Sequence, residues 1–330
     1  MSEVAETKVA GQVAPLQLPA RTIPAPGSIS PAAQAALARL PLGPVAYPPI
    51  DDIEAWRKVV ALSDQGLLSM MVERAKDVVA DVETRVVDDV IVFVITPANL
   101  SAEAEGRVYL DIHGGALIMG AGECCRAMGL RSARRAGVRT WSVDYRMPPD
   151  HPYPTPLDDC VVAYRALLRD YRPDDIIVGG ASAGGNLAAA LILRARDEGL
   201  PLPAAAVLLT PEVDLTESGD SFQTNLGIDT VLTRSLAAPS KLYAAGHALE
   251  HPYLSPLFGD FTKGFPPTFL QTGTRDLFLS NTVRMHRALR EAGVPAELHV
   301  FEAMPHGGFG VTSEDAELDA EVRRFVDAHW

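Results

Sequence analysis

Basic residues and long apolar runs are both scarce in this sequence. Its 330 residues include 29 Lys and Arg against 42 Asp and Glu, which gives a formal net charge of −13. Nucleic acids and anionic membranes both attract basic surfaces, so this composition disfavours either as a binding partner. No stretch reaches the roughly 20 apolar residues that a membrane-spanning helix needs, and no membrane span is predicted.

The N-terminal segment MSEVAETKVAGQVAPLQLPA lacks a positively charged start and a continuous apolar core, so no secretory signal is expected. Cysteine is rare as well, since the chain contains only Cys124, Cys125 and Cys160. An odd number with two adjacent residues argues against a disulfide framework and predicts structural thiols in a reducing cytoplasm. Because these cysteines do not stand at metal-ligand spacing with histidines, the sequence predicts no metal site.

The first part of the chain is predicted to be an arm followed by helices. Residues 1–27 are rich in Pro, Ala and Gly without periodicity, which indicates a loosely held arm. Residues 28–83 carry helical patterns. Ser30, followed by a proline, is typical of a helix start, and Asp51, with a glutamate three residues later, resembles the start of a second helical stretch. Gly66 is predicted to break that stretch into two helices.

From about residue 84 the pattern changes to strands that alternate with helices. Two apolar runs around Asp88 and Asp89 predict an antiparallel hairpin. The later alternation predicts an α/β fold with a mostly parallel sheet and helices on both faces. The alternation fails in one stretch, so the core is predicted at 84–211 and 264–330, with an insertion at 212–263. The predicted strands of the core are 107–115, 138–146, 174–180, 204–211, 268–276 and 296–306, and its predicted helices are 123–137, 154–170, 186–199, 281–293 and 313–330.

The segment Gly180-Ala181-Ser182-Ala183-Gly184 joins a predicted buried strand to a predicted helix. This G-x-S-x-G pattern in a strand–turn–helix context is typical of a nucleophile elbow, a tight turn with strained backbone at the serine. The small residues on both sides let strand and helix approach, and the helix N-terminus favours negative charge. Ser182 is therefore the candidate nucleophile.

A serine hydroxyl needs a base, and the base needs a carboxylate that orients it. His306 is the best candidate base because it follows the last predicted strand, at the edge where α/β sheets build their sites. Asp276 follows the preceding strand and completes the chain order Ser…Asp…His of α/β-hydrolases. Asp214, which follows an earlier strand, is the rival for the acidic position.

The segment His113-Gly114-Gly115-Ala116 follows another predicted strand. Glycines at such a place allow main-chain N–H groups to point at one spot, as an oxyanion hole requires. The N–H group of Ala183 is expected to converge on the same spot. His113 is expected to brace this loop rather than to act as a base.

Four sequence blocks resemble the hormone-sensitive-lipase family of α/β-hydrolases, the bacterial class IV esterases. Within that family the chain is most similar to monoterpene ε-lactone hydrolase-like members. The resemblance implies a helical cap, built from the N-terminal helices and the insertion. The blocks are HGGA (113–116), DYRMPPDHPYPTPLDD (144–159), GASAGGNLAAA (180–190), and GTRDLFLS with MPHGGF (273–280 and 304–309).

Two departures from the family pattern concern the candidate site. The third glycine of the family's oxyanion loop is Ala116 here, and its methyl group narrows the floor of the pocket. The residue before the nucleophile, commonly acidic in the family, is Ala181. The roles that the resemblance implies are Ser182 as nucleophile, His306 as base, Asp276 as acid, the N–H groups of Gly115, Ala116 and Ala183 as oxyanion hole, and Gly114 as a support of that loop.

The sequence thus predicts a carboxylic-ester hydrolase that forms an acyl-enzyme on small to medium esters or lactones, without metal or organic cofactor. Two alternatives stay open. An amidase or peptidase would use the same triad, and a non-catalytic receptor for a small ligand would use the same fold, although such receptors typically lose a triad member. A cytoplasmic location is expected, and a homodimer is compatible with an exposed sheet edge. Apolar residues of the predicted cap are candidates to line the substrate pocket: Trp56, Met70, Met71, Phe222, Leu226 and Tyr243.

Overall fold

The computed structural model describes residues 15–38 and 46–330, which contain one eight-stranded sheet. Its strands are β1 (Ala80–Val87), β2 (Val90–Pro97), β3 (Val108–Ile112), β4 (Arg139–Asp144), β5 (Ile176–Ala181), β6 (Ala205–Leu209), β7 (Thr268–Gly273) and β8 (Ala296–Phe301). Their spatial order is β1-β2-β4-β3-β5-β6-β7-β8. Only the pairs β1–β2 and β2–β4 within this sheet are antiparallel. The predicted mostly parallel sheet with an antiparallel start is confirmed.

A two-residue turn joins β1 and β2, as the sequence predicts. Val87 pairs with Val90 in the ladder, which leaves Asp88 and Asp89 as the turn. Both have positive φ, +47° and +70°, the backbone that matches the twist of a tight hairpin. The first strand begins at Ala80, a few residues before the predicted start of the hairpin.

Helices cover both faces of the sheet. In the described residues they are α1 (Pro31–Leu37), α2 (Ile53–Ala75), α3 (Glu123–Ala136), α4 (Thr155–Asp170), α5 (Ala183–Asp197), α6 (Ser221–Thr224), α7 (Ala237–Ala244), α8 (Leu279–Glu291) and α9 (Ser313–Ala328). Successive residues of a strand point to opposite faces. In β5, Ile176 and Val178 join the larger core with α4, α5 and α8, whereas Ile177 joins a core with α9.

The N-terminal helices differ from the sequence prediction in two details. The helix start at Ser30 is confirmed, since its hydroxyl accepts the N–H of Ala33 at 3.2 Å. The second helix is capped by Asp52 rather than Asp51, because the Asp52 carboxylate accepts the N–H of Ala55 at 3.0 Å. The predicted break at Gly66 is wrong, because α2 continues through it without interruption. An isolated helical glycine costs only about 1 kcal/mol relative to alanine, which the remaining length of α2 tolerates.

Several strands end earlier than their apolar patterns predict. The strand predicted at 204–211 ends at Leu209, and Thr210 has a positive φ of +42°. The strand predicted at 296–306 ends at Phe301, shortly before Ala303 with a φ of +53°. These turns carry the chain out of the sheet at the carboxyl ends of β6 and β8.

Part of the predicted arm, residues 1–14, lies outside the described residues. Residues 15–27 form neither helix nor strand and are almost entirely exposed. The guanidinium of Arg275 donates to the carbonyl of Pro24 at 2.7 Å, which ties the end of this segment to the loop after β7. Among the residues that the structure describes, no helix combines the length and apolar character needed to cross a membrane.

Helix α2 and the insertion meet at the loop that follows β3, whereas α1 packs against Ala303, Met304 and Phe309. Trp56 of α2 packs with Ile118 of that loop and with Leu242 of α7. Phe222 of α6 packs with Phe278, which follows β7. These contacts join α2 and the insertion to the loops that follow β3 and β7.

Candidate active site

Ser182 lies in the tight turn between β5 and α5, with φ +58° and ψ −124°. The residues two positions away have to be glycines. A Cβ atom on Gly180 would come within 2.3 Å of the Gly184 carbonyl oxygen, and one on Gly184 within 1.9 Å of the Ile112 oxygen. The turn therefore holds strand and helix close together and presents the partly exposed Ser182 side chain at the helix N-terminus, where the helix dipole favours negative charge.

A chain of hydrogen bonds connects Ser182, His306 and Asp276. His306 Nε2 lies 2.9 Å from Ser182 Oγ, and His306 Nδ1 lies 3.0 Å from Asp276 Oδ1. The Asp276 carboxylate also accepts the N–H of Phe278 at 2.9 Å and the hydroxyl of Thr272 at 2.8 Å. Since a carboxylate only accepts, Nδ1 carries the imidazole proton and Nε2 is free to accept from the serine hydroxyl.

The rival carboxylate, Asp214, has other partners. It accepts hydrogen bonds from Arg284 at 2.6 Å, from the Thr216 hydroxyl at 2.6 Å and from the Ser218 hydroxyl at 2.6 Å. These partners hold Asp214 in the turn that begins the insertion. Of the two candidates, the structure places Asp276 beside the imidazole.

The surroundings of His306 favour its protonated form. Burial lowers the pKa of His306, but the charge and hydrogen bond of Asp276 and the charge of Asp229 together raise it above its ordinary value. The hydroxyl of Thr210 lies 2.5 Å from Nδ1 and shares that side of the ring with Asp276. The imidazole is thus surrounded by groups that stabilise the cation formed when it takes a proton.

The loop after β3 approaches the serine turn and contains main-chain N–H groups without an acceptor in the part of the chain that the structure describes. In the described residues, the N–H groups of Gly115, Ala116 and Ala183 have no acceptor. Gly115 and Ala116 have positive φ values of +141° and +51°. A Cβ atom on Gly114 would lie 2.8 Å from the Ala181 oxygen, so this glycine allows the loop to approach the serine turn. Three free donors beside a serine hydroxyl can stabilise an oxyanion.

His113 contacts the main chain of the same loop and packs on a neighbouring ring. Its ring stacks on Tyr145 with centroids 4.1 Å apart, and its Nδ1 lies 2.9 Å from the Gly114 oxygen. Burial lowers the pKa of His113 to about 4, so the ring is neutral near pH 7. Further along the loop, Gly120 donates its N–H to Asp64 at 2.7 Å, which ties the loop to α2.

Two residues of the insertion, which the sequence motifs do not single out, join the loops of the site. The Asp229 carboxylate accepts the N–H of Leu277 at 2.8 Å and lies 3.3 Å from the N–H nitrogen of His306. The side-chain amide of Asn225 donates to the main-chain oxygen of Asp276 at 2.8 Å. Both lie in an irregular segment without periodicity, and only the tertiary contacts identify them.

Glu212, at the start of the insertion, is a third residue to which the sequence motifs assign no role. Its main-chain N–H donates to the Ser182 oxygen at 3.1 Å, and its side chain is buried. Burial raises the pKa of Glu212 to about 8, against the opposing effects of His306 and Ser240. Its carboxyl group, which interacts electrostatically with His306, is therefore neutral at pH 7.

The structure brings two of the six candidate pocket residues near the oxyanion loop. Trp56 packs with Ile118, and Phe222 packs with Phe278, while Ala116 borders both clusters. The edge of Phe278 in turn contacts the ring of His306, with centroids 4.8 Å apart. The other four lie elsewhere: Met70 and Leu226 are exposed, Met71 packs against α3, and Tyr243 is buried in the main core.

Comparisons with known proteins identify the family. A family model of the alpha/beta hydrolase fold matches residues 109–310. An acetyl-hydrolase of Streptomyces hygroscopicus is 35% identical over 207 residues, which cover 62% of this chain and 69% of that protein. An esterase of Acinetobacter venetianus is 35% identical over 210 residues, with the same coverage of 62% and 69%.

Solved structures agree with these sequence matches. The crystal structure of an esterase E25 superposes with a TM-score of 0.87 and 37% identity, and the match covers 95% of this chain and 98% of that chain. An esterase from the bacterial hormone-sensitive lipase family has a TM-score of 0.74 and 29% identity, with coverage of 92% and 99%. The chain therefore belongs to the α/β-hydrolase family, among the hormone-sensitive-lipase-like bacterial esterases.

Proposed function

We propose that this protein hydrolyses carboxylic esters through a Ser182–His306–Asp276 triad and an acyl-enzyme. The observation that carries the proposal is the pair of hydrogen-bond distances on the two sides of one imidazole, 2.9 Å to Ser182 and 3.0 Å to Asp276. Nucleophile, base and orienting carboxylate need this arrangement. The names of the esterase and acetyl-hydrolase relatives support the same class of reaction.

In the proposed reaction, His306 removes the Ser182 proton as Oγ attacks the ester carbonyl carbon. The N–H groups of Gly115, Ala116 and Ala183 donate to the negatively charged oxygen of the tetrahedral intermediate. The C–O bond to the alcohol then breaks, and the alcohol leaves with the proton from His306. Water attacks the acyl-enzyme with the same histidine as base, which releases the acid and restores the serine.

The proposed substrates have short acyl groups. The Ala116 methyl group lies at the loop that holds the oxyanion, and the apolar clusters around Trp56 and Phe222 border it. Apolar surroundings of this kind suit a small apolar acyl chain, and a relative of this chain bears the name acetyl-hydrolase. Lactones of similar size present the same carbonyl chemistry and remain within the proposal.

The test is the hydrolysis of p-nitrophenyl esters from acetyl to dodecanoyl by the wild type and by Ser182→Ala. We expect turnover with an optimum among the shorter acyl chains and a loss of several orders of magnitude in Ser182→Ala, as removal of a nucleophile produces. Ser69→Ala, which changes an exposed serine of α2, is the matched control and should keep full activity. Equal turnover by Ser182→Ala and wild type would refute the proposal.

The same series separates ester hydrolysis from the two other functions that the site suggests. A peptidase or amidase with this triad would also hydrolyse p-nitroanilides at rates comparable to those of the matching esters. A receptor would bind esters without turnover. Because all three triad members are in contact and the three N–H donors are free in the described residues, we propose catalysis rather than binding alone.

A further inference from the structure

Three side chains of metal-binding type lie together, one of them at the start of the loop that follows β3. One ligand atom from each of His113, Cys125 and Asp144 lies within 4.8 Å of the other two. They come from the loop after β3, from α3 and from the end of β4. We propose that these residues bind one thiophilic divalent cation, with Zn²⁺ as the model ion.

His113 contributes the strongest evidence. Its Nδ1 lies 2.9 Å from the Gly114 carbonyl oxygen, which can only accept, so Nδ1 carries the ring proton. Nε2 then has a free lone pair. This atom is buried and has no hydrogen-bond partner among the described residues, although the residue is only 2% exposed. Buried polar atoms are nearly always paired, so an imidazole with a free buried nitrogen, in a cluster with a thiol and a carboxylate, fits the coordination of a cation.

Cys125 and Asp144 supply the other two ligand types. The Cys125 thiol is fully buried and has one weak contact, 3.4 Å from the Ser142 hydroxyl. Asp144 uses one carboxylate oxygen to accept the N–H of Gly122 at 2.8 Å, which leaves the second oxygen for a cation. No salt bridge of Asp144 occurs in residues 15–38 and 46–330, so its charge is not balanced by a basic side chain.

This set of ligands matches the cation in both chemistry and charge. Thiolate, imidazole and carboxylate are the side chains that bind zinc. A thiolate and a carboxylate together carry the two negative charges that neutralise a divalent cation, which lowers the cost of placing it inside the protein. A soft thiolate ligand also selects zinc or cadmium over magnesium and calcium, which prefer oxygen.

The geometry requires only a small adjustment. Ligand atoms bound to one tetrahedral zinc at about 2.0–2.3 Å lie roughly 3.3–3.8 Å from one another, so the present separations have to close by about 1 Å. Asp144 is only partly buried and can rotate toward the other two. Gly122, whose N–H contacts Asp144, has open space where a Cβ atom would lie, and a water molecule can complete the coordination.

Binding changes the protonation of one ligand. The Cys125 S–H bond breaks, a bond between sulfur and the cation forms, and the proton leaves to the buffer. No oxidant or reductant takes part. His113 Nδ1 remains hydrogen-bonded to the Gly114 oxygen, so a cation that pulls on Nε2 also acts on the loop with the oxyanion donors. Inhibition of ester hydrolysis by the cation is therefore expected; this second part rests on the proposed function.

The experiment is a calorimetric titration of chelator-treated enzyme with Zn²⁺ in two buffers of different ionisation enthalpy. We expect one Zn²⁺ per chain with release of one proton, and at least tenfold weaker binding by Cys125→Ser. The chain offers two matched controls, Cys124→Ser and Cys160→Ser, because both thiols are buried and face other clusters. Wild-type binding without proton release, or equal affinity in Cys125→Ser, would overturn the proposal.

Asp144→Asn provides a second test that does not alter the buried thiol. The amide oxygen can still accept the Gly122 N–H, so the loop should keep its shape while the anionic ligand is lost. We expect at least tenfold weaker Zn²⁺ binding in this variant, and unchanged binding would also overturn the proposal. Ester hydrolysis by the chelator-treated enzyme reports separately on the proposed function, because a metal site that fails leaves that activity in place.

Discussion

The carboxylate of Asp229 lies beneath the main-chain N–H of His306, with Oδ2 3.3 Å from that nitrogen. The same oxygen accepts the N–H of Leu277 at 2.8 Å, directly after Asp276. Its other oxygen accepts the N–H of Val231 at 2.8 Å. One buried carboxylate of the insertion therefore joins the two loops that carry the proposed base and its acid.

Replacing Asp229 should lower kcat more than it weakens substrate binding. Asp229→Ala removes several main-chain hydrogen bonds to a charged group, each worth about 1.5–3 kcal/mol, and releases the loops on both sides of the imidazole. We expect kcat to fall by about tenfold or more with a smaller change in KM, because misplaced catalytic groups lose rate. Steady-state kinetics measure both constants.

Asp229→Asn, which keeps one acceptor oxygen, should lose less activity than Asp229→Ala. The exposed Asp220 lies in the same insertion, so Asp220→Ala is the control and should behave like the wild type. If Asp229→Ala keeps the kcat of the wild type, Asp229 does not position the site.

The acid limb of the pH profile should report His306. The base has to be neutral to accept the serine proton, so kcat/KM rises as the pH rises through the His306 pKa. Asp276 and the other nearby carboxyl groups, which outweigh the effect of burial, hold that pKa above its ordinary value of 6.5. The midpoint of the acid limb in the wild type is therefore expected above 6.5.

Asp276→Asn removes the charge that stabilises the imidazolium. We expect this variant to have a much lower kcat/KM, which reaches half of its plateau at a lower pH than in the wild type. Asp214→Asn, which changes the rival carboxylate, should leave the midpoint in place. A midpoint that Asp276→Asn does not move would mean that another group controls the acid limb.

Ionisation of the Glu212 carboxyl group should lower kcat/KM at alkaline pH. Its carboxyl group, whose pKa burial raises to about 8, is neutral at pH 7 and becomes negative as the pH rises further. A negative charge close enough to interact with His306 also opposes the negative charge of the tetrahedral intermediate. We expect kcat/KM to fall with a midpoint near pH 8 in the wild type and to keep its plateau in Glu212→Gln.

The free energy of unfolding should also depend on the ionisation of Glu212. The folded-state pKa of Glu212 lies above the ordinary value of 4.5, so the folded state binds more protons than the unfolded state between these pH values. Its contribution to the free energy of unfolding therefore falls as the pH rises through that window. Glu212→Gln should flatten this part of the stability profile, whereas the exposed control Glu250→Gln should not; identical profiles for all three proteins would contradict the assignment.

Ala116→Gly should widen the acyl specificity. The Ala116 methyl group borders the apolar clusters of Trp56 and Phe222, and the residue has a positive φ of +51° that glycine adopts without strain. We expect the optimum of the ester series to move to longer acyl chains, with the turnover of acetyl esters kept within a few-fold. Ala121→Gly, at an exposed place further along the loop, should leave the optimum unchanged. An unchanged optimum in Ala116→Gly would show that the methyl group does not limit chain length.

The sheet and the order of the site residues were accessible from the sequence because local patterns encode them. Period-two and period-3.6 apolar repeats identify the elements, and the loops at the carboxyl ends of parallel strands place Ser182, Asp276 and His306 at one edge. The errors were local. Gly66 indicates a break only if no neighbouring turn compensates for it, and Asp51 and Asp52 are equally good caps by residue type.

The roles of the insertion residues could not be predicted from local sequence patterns. Asp229 and Glu212 owe their roles to burial and to hydrogen bonds with residues far away in the chain. Periodic patterns in the sequence do not predict such contacts. The pocket candidates failed to converge for a related reason. An apolar side chain in a cap segment can face the core as readily as the pocket, and Tyr243 and Met71 pack into apolar clusters away from the oxyanion loop.

The most direct test of the central claim is mass spectrometry of the enzyme after brief exposure to a p-nitrophenyl alkylphosphonate, which a catalytic serine attacks but releases slowly. We expect one adduct per chain, on the peptide that contains Ser182, with ester hydrolysis lost in proportion to labelling. We also expect no adduct in Ser182→Ala or His306→Ala. Full esterase activity in enzyme completely labelled at Ser182, or labelling at another residue with loss of activity, would contradict the proposed role of Ser182.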